Sequence, residues 1–181
     1  MLVTKQRFTI QYRLLYLGIG VALFAAAYSV GAAIPLAEKD AEEVRSSFLE
    51  DTQNIDEVGI FLNNIKIALA MFIPGAGVAL GVYSGVSTGM VYHAFALTSA
   101  QLAAANPLSV LATPFGLLEL LAYGLAISRS GMLVAQILKK SERKSWKKYS
   151  VATAIEIALV MAALVAGSLI ESQTLSTASS G

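Results

Sequence analysis

The side chains that could do chemistry in this sequence are few, and they sit in apolar surroundings. Glu119 lies inside Thr113–Ser130, a stretch apolar enough to enter a bilayer that nevertheless holds Pro114, Gly116, Glu119 and Arg129. A carboxylate in such a stretch is costly to insert, so it faces protein or water and often marks a functional position. Asn63 and Lys66 are spaced to share one helical face. With Asn64, His93 and Glu119 they make a candidate intramembrane polar cluster. Two readings of the cluster stand side by side. It glues helices together, as intramembrane hydrogen bonds commonly do, or it lines a polar pathway. Arg129 and Glu156 flank the basic segment Lys139–Lys148 at similar distances. At ~1.5 Å per residue they fall at similar depth on the two arms of one hairpin. That spacing predicts an Arg129–Glu156 pair that fixes how two helices dock. The alternative is that Arg129 snorkels to the surface and Glu156 is protonated or reaches water.

None of these groups forms a catalytic pattern. No Asp lies in an apolar stretch, and His93-Ala94-Phe95-Ala96-Leu97 is not a zinc-protease motif. Ser84, Ser87, Ser99 and Ser128 lie outside any G-x-S-x-G elbow. There is no cysteine, hence no disulfide and no thiolate metal site. A single His without carboxylate–His spacing argues against zinc. We expect no catalytic residue, no metal and no cofactor.

The elements that must position these residues are membrane helices. The chain is 56% hydrophobic and only 14% charged, with mean hydropathy +0.65. Soluble domains carry about 25% charged residues, so lipid accounts for the difference. Residues 1–13 hold Lys5, Arg7 and Arg13 without an acid, and residues 14–34 are uncharged. That run exceeds the ~7–15 apolar residues of a secretory signal, and we read it as an uncleaved first span ended by Pro35. Residues 36–59 are strongly acidic. Ala37, Ala41, Val44, Phe48, Ile55 and Val58 recur at three-, four- and seven-residue steps, which predicts an external amphipathic helix rather than a solvated loop. Further spans are expected at about 60–83 and 87–104, with a turn near Tyr83–Ser87. That turn would split the glycine ridge Gly77, Gly81, Gly85 and Gly89 between two helices.

The next apolar stretch, 107–138, is longer than the ~20 residues a crossing needs. Either 107–128 crosses, or Pro114 breaks the stretch and 115–138 crosses behind a short re-entrant segment. Our reading leans to the second, broken near Pro114. The last span is 149–170, and the Ser/Thr-rich 171–181 is expected to be a disordered tail. The fold expected is therefore an all-α polytopic transmembrane bundle of about five spans forming a single membrane domain. The positive-inside rule places the N-terminus and residues 139–148 in the cytoplasm. The acidic segment and the C-terminus then lie outside. The basic segment is short and juxtamembrane, so anionic lipid headgroups, not nucleic acid, are its expected partner.

Two stretches resemble the stage II sporulation protein M family. One is Ile60-Phe61-Leu62-Asn63-Asn64, followed by an apolar helix and the glycines Gly77, Gly81, Gly85 and Gly89. The other is Pro114-Phe115-Gly116-Leu117-Leu118-Glu119-Leu120. It is similar to the family's Pro-His-Gly, two apolar residues, Glu-Leu, with Phe115 in place of the His. The resemblance covers roughly Ile60 to Ile170. It implies a multi-helix plasma-membrane protein without recognised catalytic activity. The sporulation member acts as a membrane component alongside peptidoglycan-remodelling partners. The function expected is thus that of a non-enzymatic scaffold or complex subunit that binds other membrane proteins. The alternative is a small transporter or permease subunit with a pathway through Asn63, Lys66, His93 and Glu119.

Overall fold

The computed structural model describes residues 2–52, 57–99, 106–138 and 143–179. Its elements are α1 (Leu2–Ala32), α2 (Glu38–Thr52), α3 (Glu57–Ala70), α4 (Ala76–Thr98), a 3-10 turn (Pro107–Ala112), α5 (Pro114–Leu138) and α6 (Arg143–Ser179). No strand occurs among the described residues. Three helices are long and apolar enough to cross a membrane: Ile10–Ala32, Pro114–Leu138 and Tyr149–Ile170. Their outer faces carry exposed Leu14, Ile19, Leu121, Ile155 and Leu159. Their inner faces bury Arg129 and Glu156. Apolar residues outside and charges inside is the arrangement a lipid solvent demands.

Local chemistry sets the element ends. α1 stops at Ala32 and the chain turns before Pro35, which has no amide to continue the ladder. α2 opens with Glu38 and Asp40 in its first turn, where the helix dipole favours acids. Thr113 starts α5. Its hydroxyl accepts from the Gly116 amide at 3.1 Å and donates to the Val110 carbonyl at 2.7 Å, with Pro114 next in line. A Cβ at Gly116 would collide with the Val110 carbonyl oxygen. The Pro-x-Gly part of the motif is thus a helix cap built against the preceding 3-10 turn.

The chain turns between α3 and α4, not at Tyr83–Ser87. There α4 is unbroken, so the whole glycine ridge lies on one helix and the expected limits of the second and third spans do not hold. The break falls at Met71–Gly75 because Pro74 removes an amide and Gly75 takes φ 81, a conformation that only glycine adopts without strain. Fully buried Ser130 holds the turn, donating to the Ile73 carbonyl at 2.7 Å and accepting from the Gly75 amide at 3.1 Å. The ridge then serves close packing. A Cβ on Gly85 would meet Ala27 and Phe24, and one on Gly89 would meet the Tyr28 carbonyl. α4 therefore runs parallel to α1. Val21 against Gly124 and Gly81 against Ile127 set α5 antiparallel to both. Asn64 meets Glu119 and Ile73 meets Ser130, so α3 runs parallel to α5. The α3–α4 hairpin turns about 12 Å short of Leu138 along α5, at ~1.5 Å per residue.

Three further expectations change. Residues 171–179 continue α6 instead of forming a disordered tail, as no Gly or Pro interrupts the chain between Gly167 and Gly181. Of the acidic segment 36–59, residues 38–52 form α2, while 53–56 lie outside the described residues and 57–59 open α3. The expected third span ends at Thr98, and the rest of it, 100–104, is outside the described residues.

A paired substitution tests the close approach of α1 and α5. A Cβ on Gly20 would strike the Gly124 carbonyl, whereas one on Gly18 meets nothing within 4 Å. Gly20→Ala should lower stability by about 1–3 kcal/mol. Gly18→Ala should be neutral or slightly stabilising. Thermal unfolding in mild detergent reads the difference, and equal effects would contradict the packing described.

Candidate functional site

The most heavily bonded polar site joins α1, α5 and α6. Arg13 donates from Nε to Glu156 Oε1 at 2.6 Å and from Nη2 to Oε2 at 2.8 Å. Arg129 donates from Nε to Oε2 at 2.7 Å and from Nη2 to Oε1. Each carboxylate oxygen thus accepts from both guanidinium groups. Arg13 also donates from Nη1 to Ser128 Oγ at 2.8 Å and reaches the Leu125 carbonyl at 3.5 Å. The Ser128 hydroxyl donates in turn to that carbonyl at 2.8 Å. Side-chain exposure is 3% for Arg129, 11% for Glu156 and 20% for Arg13. Two bidentate forks on one carboxylate are strong, charge-assisted and geometrically specific. They fix three helices in register, and they hold two positive charges against one negative.

A second polar contact lies about 15 Å away along α5, at ~1.5 Å per residue. Asn64 Nδ2 donates to Glu119 Oε1 at 3.5 Å, linking α3 to α5. Asn63 and Lys66 are exposed. With Asn64 turned to Glu119, Lys66 points about 200° further round the helix, at ~100° per residue, and so away from that contact. His93 is half-buried on α4, beside Tyr92. The Tyr92 and Tyr28 rings lie 6.2 Å apart, and Tyr28 donates its hydroxyl to the Pro107 carbonyl at 2.7 Å. The five polar residues singled out in the sequence therefore do not converge on one point: the structure joins Asn64 to Glu119. Among the described residues, no three His, Cys, Asp or Glu side chains gather as a metal site would require.

Sequence spacing points to Arg129 and Glu156, and the structure places them in contact. Arg13 was missed. By sequence it reads as one more positive residue flanking the first span. The clue lay in its place at the very edge of the uncharged run, where a long side chain can turn inward. Ser128 and Ser130 carried no sequence signal, since serine is common in membrane helices.

The shared carboxylate predicts a ranking of substitutions. Glu156→Ala leaves two guanidinium groups facing each other and should cost most, about 3–5 kcal/mol. Arg129→Ala should cost somewhat less, and the more exposed Arg13→Ala least, about 1–3 kcal/mol. Unfolding in bicelles checks the order. A smaller loss for Glu156→Ala than for Arg13→Ala would remove Glu156 from the centre of the network.

Searches among curated proteins and among solved structures gave no match. The family model described as Stage II sporulation protein M matches residues 14–173, which take in α2 to α5, most of α1 and α6, and every residue of the charge network except Arg13. This chain of apolar, charge-tied helices therefore belongs to the Stage II sporulation protein M family.

Proposed function

We propose that the protein is a non-enzymatic scaffold or subunit of a plasma-membrane complex. In this reading α1, α5 and α6 cross the membrane, while the α3–α4 hairpin enters from the outer side and returns to it. The N-terminus and the basic segment 139–148 are cytoplasmic, and the basic residues rest on anionic lipid headgroups. α2 and the C-terminus lie outside.

The observation that carries the reading is the way α2 is mounted. Ala41 is fully buried beneath it, and Phe48 meets Phe95 of α4 edge-on at 5.8 Å. Arg45 lies over the same ring at 5.8 Å and bonds Glu42 at 3.0 Å. The helix is thereby pinned to the bundle while Glu38, Asp40, Glu43, Glu50 and Asp51 are exposed. A fixed acidic face suits docking of a membrane protein with a basic external surface. The Asn64–Glu119 contact supports the same reading, because it ties two helices together, and Lys66 is turned away from it.

The test is capture in mild detergent with wild type and with the triple variant Glu43→Lys, Glu50→Lys, Asp51→Lys. All three side chains are exposed, so unfolding should shift by no more than about 0.5 kcal/mol. The captured partner should be lost. Repeated isolation of wild type as a free monomer would count against the scaffold reading. So would solute flux in proteoliposomes that Glu119→Gln abolishes.

A further inference from the structure

We infer that the Arg13–Arg129–Glu156 network is an anion-binding site that takes one phosphate-type group, either an anionic lipid headgroup or free phosphate. The inference rests on this geometry and is independent of the scaffold reading.

Charge gives the first argument. Two guanidinium groups share one carboxylate, and the nearest other polar partner is the neutral Ser128 hydroxyl. Arginine stays ionised in proteins. Among the described residues, the network thus holds one uncompensated positive charge in a low-dielectric layer, where an anion is worth far more than in water.

Donor geometry gives the second. Both Glu156 oxygens already accept from both arginines. Arg129 uses Nε and Nη2 on that carboxylate, and its Nη1 donates to no acceptor among the described residues. The side chain as a whole is 3% exposed. A buried fork with an unspent amino group suits the planar, multidentate way in which arginine holds a phosphate.

Access gives the third. The α3–α4 hairpin turns at the level of Ser130, next to Arg129, and its tip residues Ile73, Pro74 and Gly75 are exposed. Among the described residues, only α1, α5 and α6 continue beyond the tip towards the end that carries the basic segment 139–148. Anionic lipids concentrate at such a basic end.

The experiment uses the full chain in nanodiscs of phosphatidylglycerol or phosphatidylcholine, with unfolding and native mass spectrometry as readouts. Runs at about 0.5 M salt screen the surface attraction of the basic segment, while a buried site is screened much less. Wild type should keep one phosphatidylglycerol per chain and unfold at a higher temperature in that lipid. Arg129→Gln should weaken retention about tenfold, the loss of one charge-assisted partner. Glu156→Gln removes the competing carboxylate and should retain the lipid at least as well as wild type. A wild-type midpoint that inorganic phosphate raises fully in phosphatidylcholine would support the site and identify free phosphate as the source. If wild type unfolds alike in both lipids, ignores phosphate and retains no anionic lipid, the proposal is overturned. It is equally overturned if Arg129→Gln and Glu156→Gln lose the lipid alike. The wild-type comparisons need no variant, so they decide the matter even if a variant fails to fold.

Discussion

The bundle depends on one constraint: charge placed among apolar helices must find opposite charge there. Glu156 meets that demand for two arginines at once. Because its partners come from α1 and α5, one carboxylate on α6 sets the relative rotation and height of all three crossing-length helices. Lipid gives no hydrophobic force between helices, as acyl chains are as apolar as leucine. A directional, bidentate contact supplies the specificity that a soluble core would draw from burial. The remaining helices are attached to this frame by close packing and single hydrogen bonds. α4 lies against α1 at Gly85 and Gly89, Ser130 and Asn64–Glu119 fasten the hairpin to α5, and α2 sits on Phe95.

Small residues complete what the charges begin. Gly20 and Gly124 bring α1 and α5 close enough for Arg13 to reach across to Ser128 and Glu156. Gly85 and Gly89 let α4 lie along α1, while Gly81 makes room for Ile127 of α5 and Gly77 for the Met71 carbonyl. Close backbone approach and charge pairing are thus one device: the first shortens the gap that the second must bridge.

Much of this was legible in the sequence, and the parts that were not have physical reasons. Arg129 and Glu156 stand at matching distances from a basic segment, a relation that helix rise alone exposes. Pro114 announces a break because proline lacks an amide. The turn between α3 and α4 was harder to place. Pro74-Gly75 and the region Tyr83–Ser87 both carried turn residues, and only tertiary contacts with Ser130 favour the first. The polar cluster misled for a related reason. Asn63 and Lys66 share a face, but the sequence does not say which face meets α5, and that face carries Asn64. Arg13 was hidden by its position, as a charge at the head of a span reads as a flank until a neighbouring helix draws it in.

The hairpin that turns at Gly75 also bears on how the chain is made. Its fastening residue, Ser130, lies 55 positions later than the glycine it holds. At ~5–20 residues per second, α3 and α4 therefore leave the ribosome several seconds before the helix that secures them. The contacts of Ser130 with Ile73 and Gly75 can therefore form only after α5 has been made, whereas the packing of α4 on α1 at Gly85 and Gly89 is available earlier. The hairpin can thus lean on α1 first and be fastened to α5 second.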